Sequence, residues 1–285
     1  MMTTNPIRRV SVITTGEADA HHEHIYGTWK PALLWIFFGR KRVRLPINVY
    51  VIEHERGLML FDAGADRAVD SDPGYHGDRI TAFFNRHIFR WHIGPEDTLT
   101  QQLERAGYAA ADVTMMVASH LHADHVGGIA EIPQADLFAS GEGLEYMRGP
   151  DHPERRFIFR QHIEIPGAKW HAIPFEPTGD PEFAPFSEAW DVLGDGSMVV
   201  LPTPGHIEGS VSMLVRRVER PPLLMIGDLT YAEELLQLDH VPAIGDKDLL
   251  LASFAKVRAL KEHMPDLVIL PAHDPTAAEK LRAAG

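Results

Sequence analysis

His120-Leu121-His122-Ala123-Asp124-His125 places three imidazoles and a carboxylate in six residues, between the apolar run 113–119 and Val126-Gly127-Gly128. Packing does not explain such a run, because buried polar side chains need partners and exposed ones need no such spacing. Metal binding does explain it, since neutral imidazole and carboxylate are the usual ligands of zinc and its neighbours. In an extended segment, residues at i, i+2 and i+4 point to one side. His120, His122 and Asp124 are therefore expected to converge before the chain turns and adds His125.

Three further segments each place one possible ligand just past an apolar, strand-like run. Val199-Val200-Leu201-Pro202-Thr203-Pro204-Gly205 leads into His206, with Gly209 and Ser210 following. The run 223–227 leads into Asp228, and 267–272 leads into His273. A single histidine or aspartate after a strand is an ordinary turn residue. Four strand ends carrying five histidines and two aspartates point instead to one shared site, because α/β proteins build sites from the loops that leave their strands. Two metal ions with three or four protein ligands each and one bridging carboxylate would use that number.

The order H-x-H-x-D-H, T-P-G-H-x-x-G-S, G-D and P-A-H resembles the metallo-β-lactamase superfamily of dinuclear metallohydrolases, and Leu58-Met59-Leu60-Phe61-Asp62-Ala63-Gly64 is similar to its early D-x-G turn. The resemblance runs from about residue 45 to about residue 275. It implies an α/β fold, a four-layer αββα sandwich of two mixed β-sheets flanked by helices. It also implies that His120, His122 and His206 hold one metal, that Asp124, His125 and His273 hold a second, and that Asp228 bridges them. The cofactors implied are two divalent ions, with zinc the default; nitrogen and oxygen ligands without sulfur also admit iron, manganese or cobalt. Each ligating histidine needs an acceptor for its other ring nitrogen, and Asp62 is a candidate for one of them.

Asp228-Leu229-Thr230-Tyr231 and Leu270-Pro271-Ala272-His273-Asp274-Pro275 resemble the N-acyl homoserine lactonase, or quorum-quenching, branch. That branch implies a small-molecule lactone substrate whose ring opens by attack of a hydroxide held between the metals. In it, Tyr231 contacts the lactone carbonyl as charge develops, and Asp124 relays a proton to the leaving alkoxide. Ala123 stands where some lactonases carry a bulky side chain. The alternatives are a hydrolase of another lactone, a small ester or a thioester on the same ligands, or a non-catalytic metal-binding member. A β-lactamase of this fold normally lacks the bridging aspartate, often has a cysteine there, and is exported.

Composition narrows the partners. A formal charge of −13 over 285 residues opposes a nucleic-acid partner, which calls for a basic surface. The basic run Arg40-Lys41-Arg42-Val43-Arg44 reads as a solvated edge. The absence of cysteine excludes disulfides and thiolate ligands and fits a reducing compartment. No signal-peptide core opens the chain, and Leu33-Leu34-Trp35-Ile36-Phe37-Phe38 is too short to span a bilayer, so a cytoplasmic protein is expected.

With no long linker or repeat, residues 1–285 read as one hydrolase domain with insertions near 67–95 and 147–190. Strands are expected at about 9–14, 47–53, 58–62, 113–119, 136–139, 197–201, 211–216, 223–226 and 267–270, and helices at 98–107, 141–148, 247–264 and 276–283. The third helix is the clearest, with Leu250, Phe254, Val257 and Lys261 joined by Leu249 and Leu260 on a broad apolar face that Pro265 stops. The two insertions, rich in aromatics such as Tyr75, Phe83, Phe84, Phe89 and Trp91, read as binding loops or lids. The apolar run 29–38 is a candidate pocket wall or homodimer contact.

Overall fold

Residues 5–285 are described by a computed structural model. Two sheets face each other. The first holds β1 (Ile7–His21), β2 (Arg42–His54), β3 (Gly57–Phe61), β4 (Phe89–His92), β5 (Val113–Val117), β6 (Asp136–Ala139) and β7 (Lys169–Ala172), in spatial order β4-β1-β2-β3-β5-β6-β7. The second holds β8 (Glu176–Pro177), β9 (Glu188–Asp191), β10 (Met198–Pro202), β11 (Val211–Val215), β12 (Leu223–Met225) and β13 (Val268–Leu270), in order β13-β12-β11-β10-β9-β8. Both are mixed: β3, β5, β6 and β7 pair in parallel, as do β12 and β13, and the other pairs are antiparallel.

The strands read as continuous apolar runs because both of their faces are buried. In β3, Leu58 and Leu60 enter the core under one helical layer, while Met59 and Phe61 enter the core between the sheets. In β10, Met198 and Val200 point between the sheets, and Val199 and Leu201 point to the opposite helical layer. Three stacked cores separate four layers, which is the αββα sandwich.

The helix Lys247–His263 covers the outer face of the second sheet. Asp246 caps it by accepting hydrogen bonds from the Asp248 and Leu249 amides, each at 3.0 Å. Leu250, Phe254, Val257 and Leu260 are buried at helical spacing. Leu249, expected on that face, is 46% exposed, because it lies about 100° around the helix from Leu250.

Every expected strand is present, but β1 continues well past residue 14. A bulge between Thr14 and Glu17 breaks the alternation there, which hides the second half of the strand. The segments expected as loops are largely ordered. Residues 67–95 fold into the helix Arg79–Ile88, capped by Asp78, and into β4 on the edge of β1. Residues 147–190 supply β7, β8 and most of β9. The basic run is not a solvated edge throughout. Arg42 turns inward and donates to the carbonyls of Asp19, His87 and Ile88, while Arg44 donates to the Asp19 carboxylate. No helix among the described residues is long and apolar enough to cross a membrane.

Candidate active site

The ligand-bearing loops meet where the two sheets meet, and backbone hydrogen bonds lace them together. The Ala63 amide donates to the His125 carbonyl and the Gly127 amide to the Gly64 carbonyl, both at 2.7 Å, so the turn after β3 is fixed to the loop after β5. Gly127 must be glycine for this, because a Cβ there would collide with the backbone of Ala65 and Asp66. The Val211 amide donates to Ser119 and the Ala272 amide to Gly227, which carries the lacing into the second sheet. The loop bearing His273 is tied to β2: Tyr50 Oη donates to the Pro271 carbonyl at 2.7 Å, and Asn48 Nδ2 to the Asp274 carbonyl at 2.9 Å. The turn bearing His206 rests on the long helix. The Asp246 amide donates to the Gly205 carbonyl, and Ser253 Oγ donates to the Pro204 carbonyl. Gly205 has φ 137°, and a Cβ on it would approach the Leu250 amide to 2.6 Å.

His120, His122 and His206 form one cluster. His120 Nε2 lies 3.0 Å and His206 Nε2 3.2 Å from His122 Nδ1. Burial, together with neighbouring imidazoles, pushes His120 well below the ordinary histidine range, and burial holds His122 and His206 down at about 3. All three are thus neutral rings whose lone pairs can face one cation.

Asp124, His125, His273 and Asp228 form the other cluster. Asp228 Oδ1 lies 3.4 Å from His125 Nε2 and 3.2 Å from His273 Nε2, while its Oδ2 lies 3.5 Å from His206 Nε2. The carboxylate therefore presents one oxygen to each cluster. Asp124 Oδ2 lies 3.5 Å from His273 Nε2, and its Oδ1 lies 3.8 Å from His125 Nε2. Burial opposes a charge on His125 and His273, yet Asp228 and the other nearby carboxylates outweigh it and hold both imidazoles above their ordinary value. Burial likewise pushes the Asp228 carboxyl up, but His273 and His125 outweigh it and keep it well below the usual range.

The expectation that His120, His122 and Asp124 share one direction fails at the third residue. The helical turn Ala123–Val126 starts directly after His122, so the extended geometry ends there and Asp124 swings to His125 and His273.

The donor set fits a pair of divalent cations. Imidazole nitrogens aimed at one another within 3.2 Å have lone pairs that protons alone do not satisfy. Buried His125 Nε2 and Asp228 Oδ1 have no hydrogen-bond partner among the described residues. The outward ring nitrogens of His125, His273 and His120 are held, whereas His206 Nδ1 has no hydrogen-bond partner among the described residues. His125 Nδ1 donates to Asp62 Oδ2 at 2.9 Å, and His273 Nδ1 donates to the Pro46 carbonyl at 2.7 Å. His120 Nδ1 donates to Ser119 Oγ, which donates in turn to Asp62 Oδ2, each at 2.9 Å. These bonds fix the tautomers that leave each Nε2 free to bind a metal. Asp62 was legible as the aspartate of the D-x-G turn. Ser119 was not, because a serine ending an apolar strand carries no signal of its own.

Tyr231 lies beside the cluster. Its hydroxyl donates to Asp228 Oδ2 at 3.3 Å and sits 2.7 Å from His24 Nε2. Burial and the charges of Asp228 and Asp124 push the phenol pKa well up, so the group stays protonated. His24, in the short helix His22–Tyr26, escaped the sequence reading; only its place beside Ile25 in an otherwise polar run hints that it is buried. Burial, above all, holds its ring down at about 3.

A cavity of about 730 Å³ opens onto His122, Ala123, Asp124, Asp228, Tyr231 and His273. Leu45, Ile80, Phe84, Phe89, Trp91 and Phe157 line it as well, together with the charged Asp78, Glu154, Arg155 and Arg156. The aromatics of 67–95 thus divide: Phe84, Phe89 and Trp91 line the cavity, Tyr75 is buried, and Phe83 faces out. The run 29–38 supplies no wall to this cavity. Trp29, Leu33, Leu34 and Phe38 are exposed, and Trp35 is buried behind His24.

A paired His/Asp cluster at the strand ends of an αββα sandwich defines a metal-dependent hydrolase scaffold with a dinuclear site. The chain belongs to the metallo-beta-lactamase superfamily, whose profile matches residues 42–273. It is similar to the N-acyl homoserine lactonase AttM of Rhizobium radiobacter, at 29% identity over 246 residues, covering 84% of this chain and 86% of the relative. It is also 31% identical over 247 residues to a protein of Mycobacterium tuberculosis named as a probable metallo-hydrolase, covering 82% and 76%. A solved N-acyl homoserine lactone hydrolase, with the product N-hexanoyl-L-homoserine at its catalytic metal centre, shares the fold at a TM-score of 0.75, with 21% identity and coverage of 99% and 98%.

Proposed function

We propose that this protein hydrolyses the ring ester of N-acyl homoserine lactones, with His120, His122 and His206 holding one divalent ion, Asp124, His125 and His273 a second, and Asp228 shared between them. The observation that carries the choice of substrate is Tyr231: a protonated phenol beside the shared carboxylate, lining a cavity that Leu45, Ile80, Phe84 and Phe89 also line. A polar lactone head beside the ligands and an acyl chain against those four side chains match that lining. The similarity to curated lactonases supports the same reading.

Two bound cations would lower the pKa of a water from about 16 towards 7 and polarise the ring carbonyl. The chain's own groups do the rest. The Tyr231 hydroxyl donates to the carbonyl oxygen as negative charge builds on it. A water gives its hydroxyl to the carbonyl carbon and its proton to Asp124; the bond to the ring oxygen breaks, and Asp124 passes that proton on to the oxygen, giving an N-acyl homoserine. The apolar lining residues exclude water from the chain side of the substrate.

To this reading belong zinc as the metal, a single hydrolase domain over 1–285 with insertions near 67–95 and 147–190, and a cytoplasmic location, which the lack of cysteine supports. A homodimer belongs to it as well, supported by the exposed apolar side chains of Trp29, Leu33, Leu34 and Phe38. The test is a substrate panel on metal-loaded protein, comparing acyl homoserine lactones of several chain lengths with other lactones, a thioester and a phosphodiester. Ring opening is followed by acid release. Turnover of the thioester or phosphodiester without any acyl homoserine lactone would refute the reading.

A further inference from the structure

We infer that His24 is a positioning residue for Tyr231: its Nε2–H donates to the phenol oxygen and so turns the phenol hydrogen towards the shared carboxylate and the cavity. The inference rests on the role proposed for Tyr231 above. Three observations carry it. First, His24 Nε2 and Tyr231 Oη are 2.7 Å apart, much closer than the 3.3 Å between Tyr231 Oη and Asp228 Oδ2. Second, His24 Nδ1 is buried and has no hydrogen-bond partner among the described residues. Third, the ring is caged by Trp35, Phe89 and Tyr231, with ring centroids 6.3, 5.4 and 5.4 Å away, and its backbone carbonyl accepts from the Ala243 amide at 3.0 Å.

These observations fix the proton. A hydrogen on Nδ1 would be a buried donor without an acceptor, whereas a bare lone pair there is the lesser penalty. The proton therefore sits on Nε2, where Oη is its acceptor. With one lone pair so engaged, Oη directs its own hydrogen towards Asp228 Oδ2. A substrate carbonyl entering the cavity can take that hydrogen without any rotation of the ring. Accepting one hydrogen bond also makes the phenol a stronger donor of the other. Without His24, the hydroxyl can rotate away from the cavity, and the carbonyl loses a preset donor.

The experiment compares metal-loaded wild type, Tyr231→Phe, His24→Phe, His24→Gln and the double variant His24→Phe/Tyr231→Phe, measuring metal content, kcat and KM on one acyl homoserine lactone. It is joined to ¹⁵N-histidine NMR of the wild type, with His24 assigned by its loss in His24→Gln. The inference expects the Nε2–H tautomer. It expects His24→Phe to lower kcat by about 10-fold, as loss of an outer-shell partner can, at unchanged metal content and KM. His24→Gln, whose carboxamide N–H reaches the same oxygen, restores most of the rate, and His24→Phe adds nothing in the Tyr231→Phe background. An Nδ1–H tautomer overturns it. So does full kcat in His24→Phe when Tyr231→Phe is slow, or a His24→Phe loss that persists without the phenol. A Tyr231→Phe enzyme as fast as wild type overturns it together with the role given to Tyr231. If no lactone is opened at all, the substrate assignment fails, and the tautomer still decides for or against His24.

Discussion

The two halves of the metal site are built on opposite charge logic. Around His122, three imidazoles gather with their nitrogens 3.0 and 3.2 Å apart, and burial keeps them neutral. Around His273, two carboxylates crowd two imidazoles, whose affinity for protons rises in spite of burial. The first half offers lone pairs and little charge, whereas the second demands positive charge. Asp228, with one oxygen turned to each half, couples them. The contrast shows how one scaffold can hold two similar ions in unlike surroundings.

Removing the coupler should have the largest effect. Asp228→Ala is expected to lose both ions and all measurable turnover together, read by metal analysis and acid release. A variant that kept two ions would break the comparison, since the halves would then be independent. Tyr231→Phe removes none of the proposed ligands and should keep both ions while losing 10-fold or more in kcat, towards the roughly 10²–10³ that removal of one oxyanion donor can cost. The outer partners separate the halves more finely. Asp62→Asn weakens the anchor of His125, and Ser119→Ala the anchor of His120. Each should lower metal affinity by about 10–100-fold, with Asp62→Asn acting on the ion of the charged half directly and on the neutral one through Ser119, and Ser119→Ala acting mainly on the neutral one. Competitive chelator titration would resolve two steps, and an unchanged charged-half step in Asp62→Asn would contradict the division.

The smallest effect lies outside both halves. His24 is held at about 3 by burial, while the unfolded chain takes up the same proton near 6.5. Between those values the unfolded state binds more protons, so stability is complete above about pH 6.5 and falls as pH drops towards 3. Urea unfolding of metal-loaded protein should show this decline, and His24→Gln should reduce its slope by up to one proton, about 1.4 kcal/mol per pH unit. An unchanged slope would mean that His24 is not buried as a neutral ring.

Much of this site could be read from the sequence because its ligands follow strand ends. All seven proposed ligands stand after apolar runs, and runs buried on both faces are easy to recognise. The partners were harder to see in proportion to how ordinary they are. Ser119 and His24 matter only through what lies across space from them, and their distance along the chain from Asp62 and Tyr231 leaves no local pattern. The edge strands β4, β7 and β8 are only 4, 4 and 2 residues long, too short for an alternating pattern to stand out, so 67–95 and 147–190 read as loops. The turn at Ala123 was hidden because four residues of helix have no periodicity of their own.

The helix Arg79–Ile88 gives Ile80, Thr81, Phe84, Asn85 and Ile88 to the cavity wall and none of the seven ligating groups. Recognition and reactivity thus occupy separate stretches of polypeptide. Substitutions along that helix can reshape which acyl tails are accepted while the reacting centre stays intact, leaving a lineage, or a protein engineer, free to change diet without rebuilding the furnace.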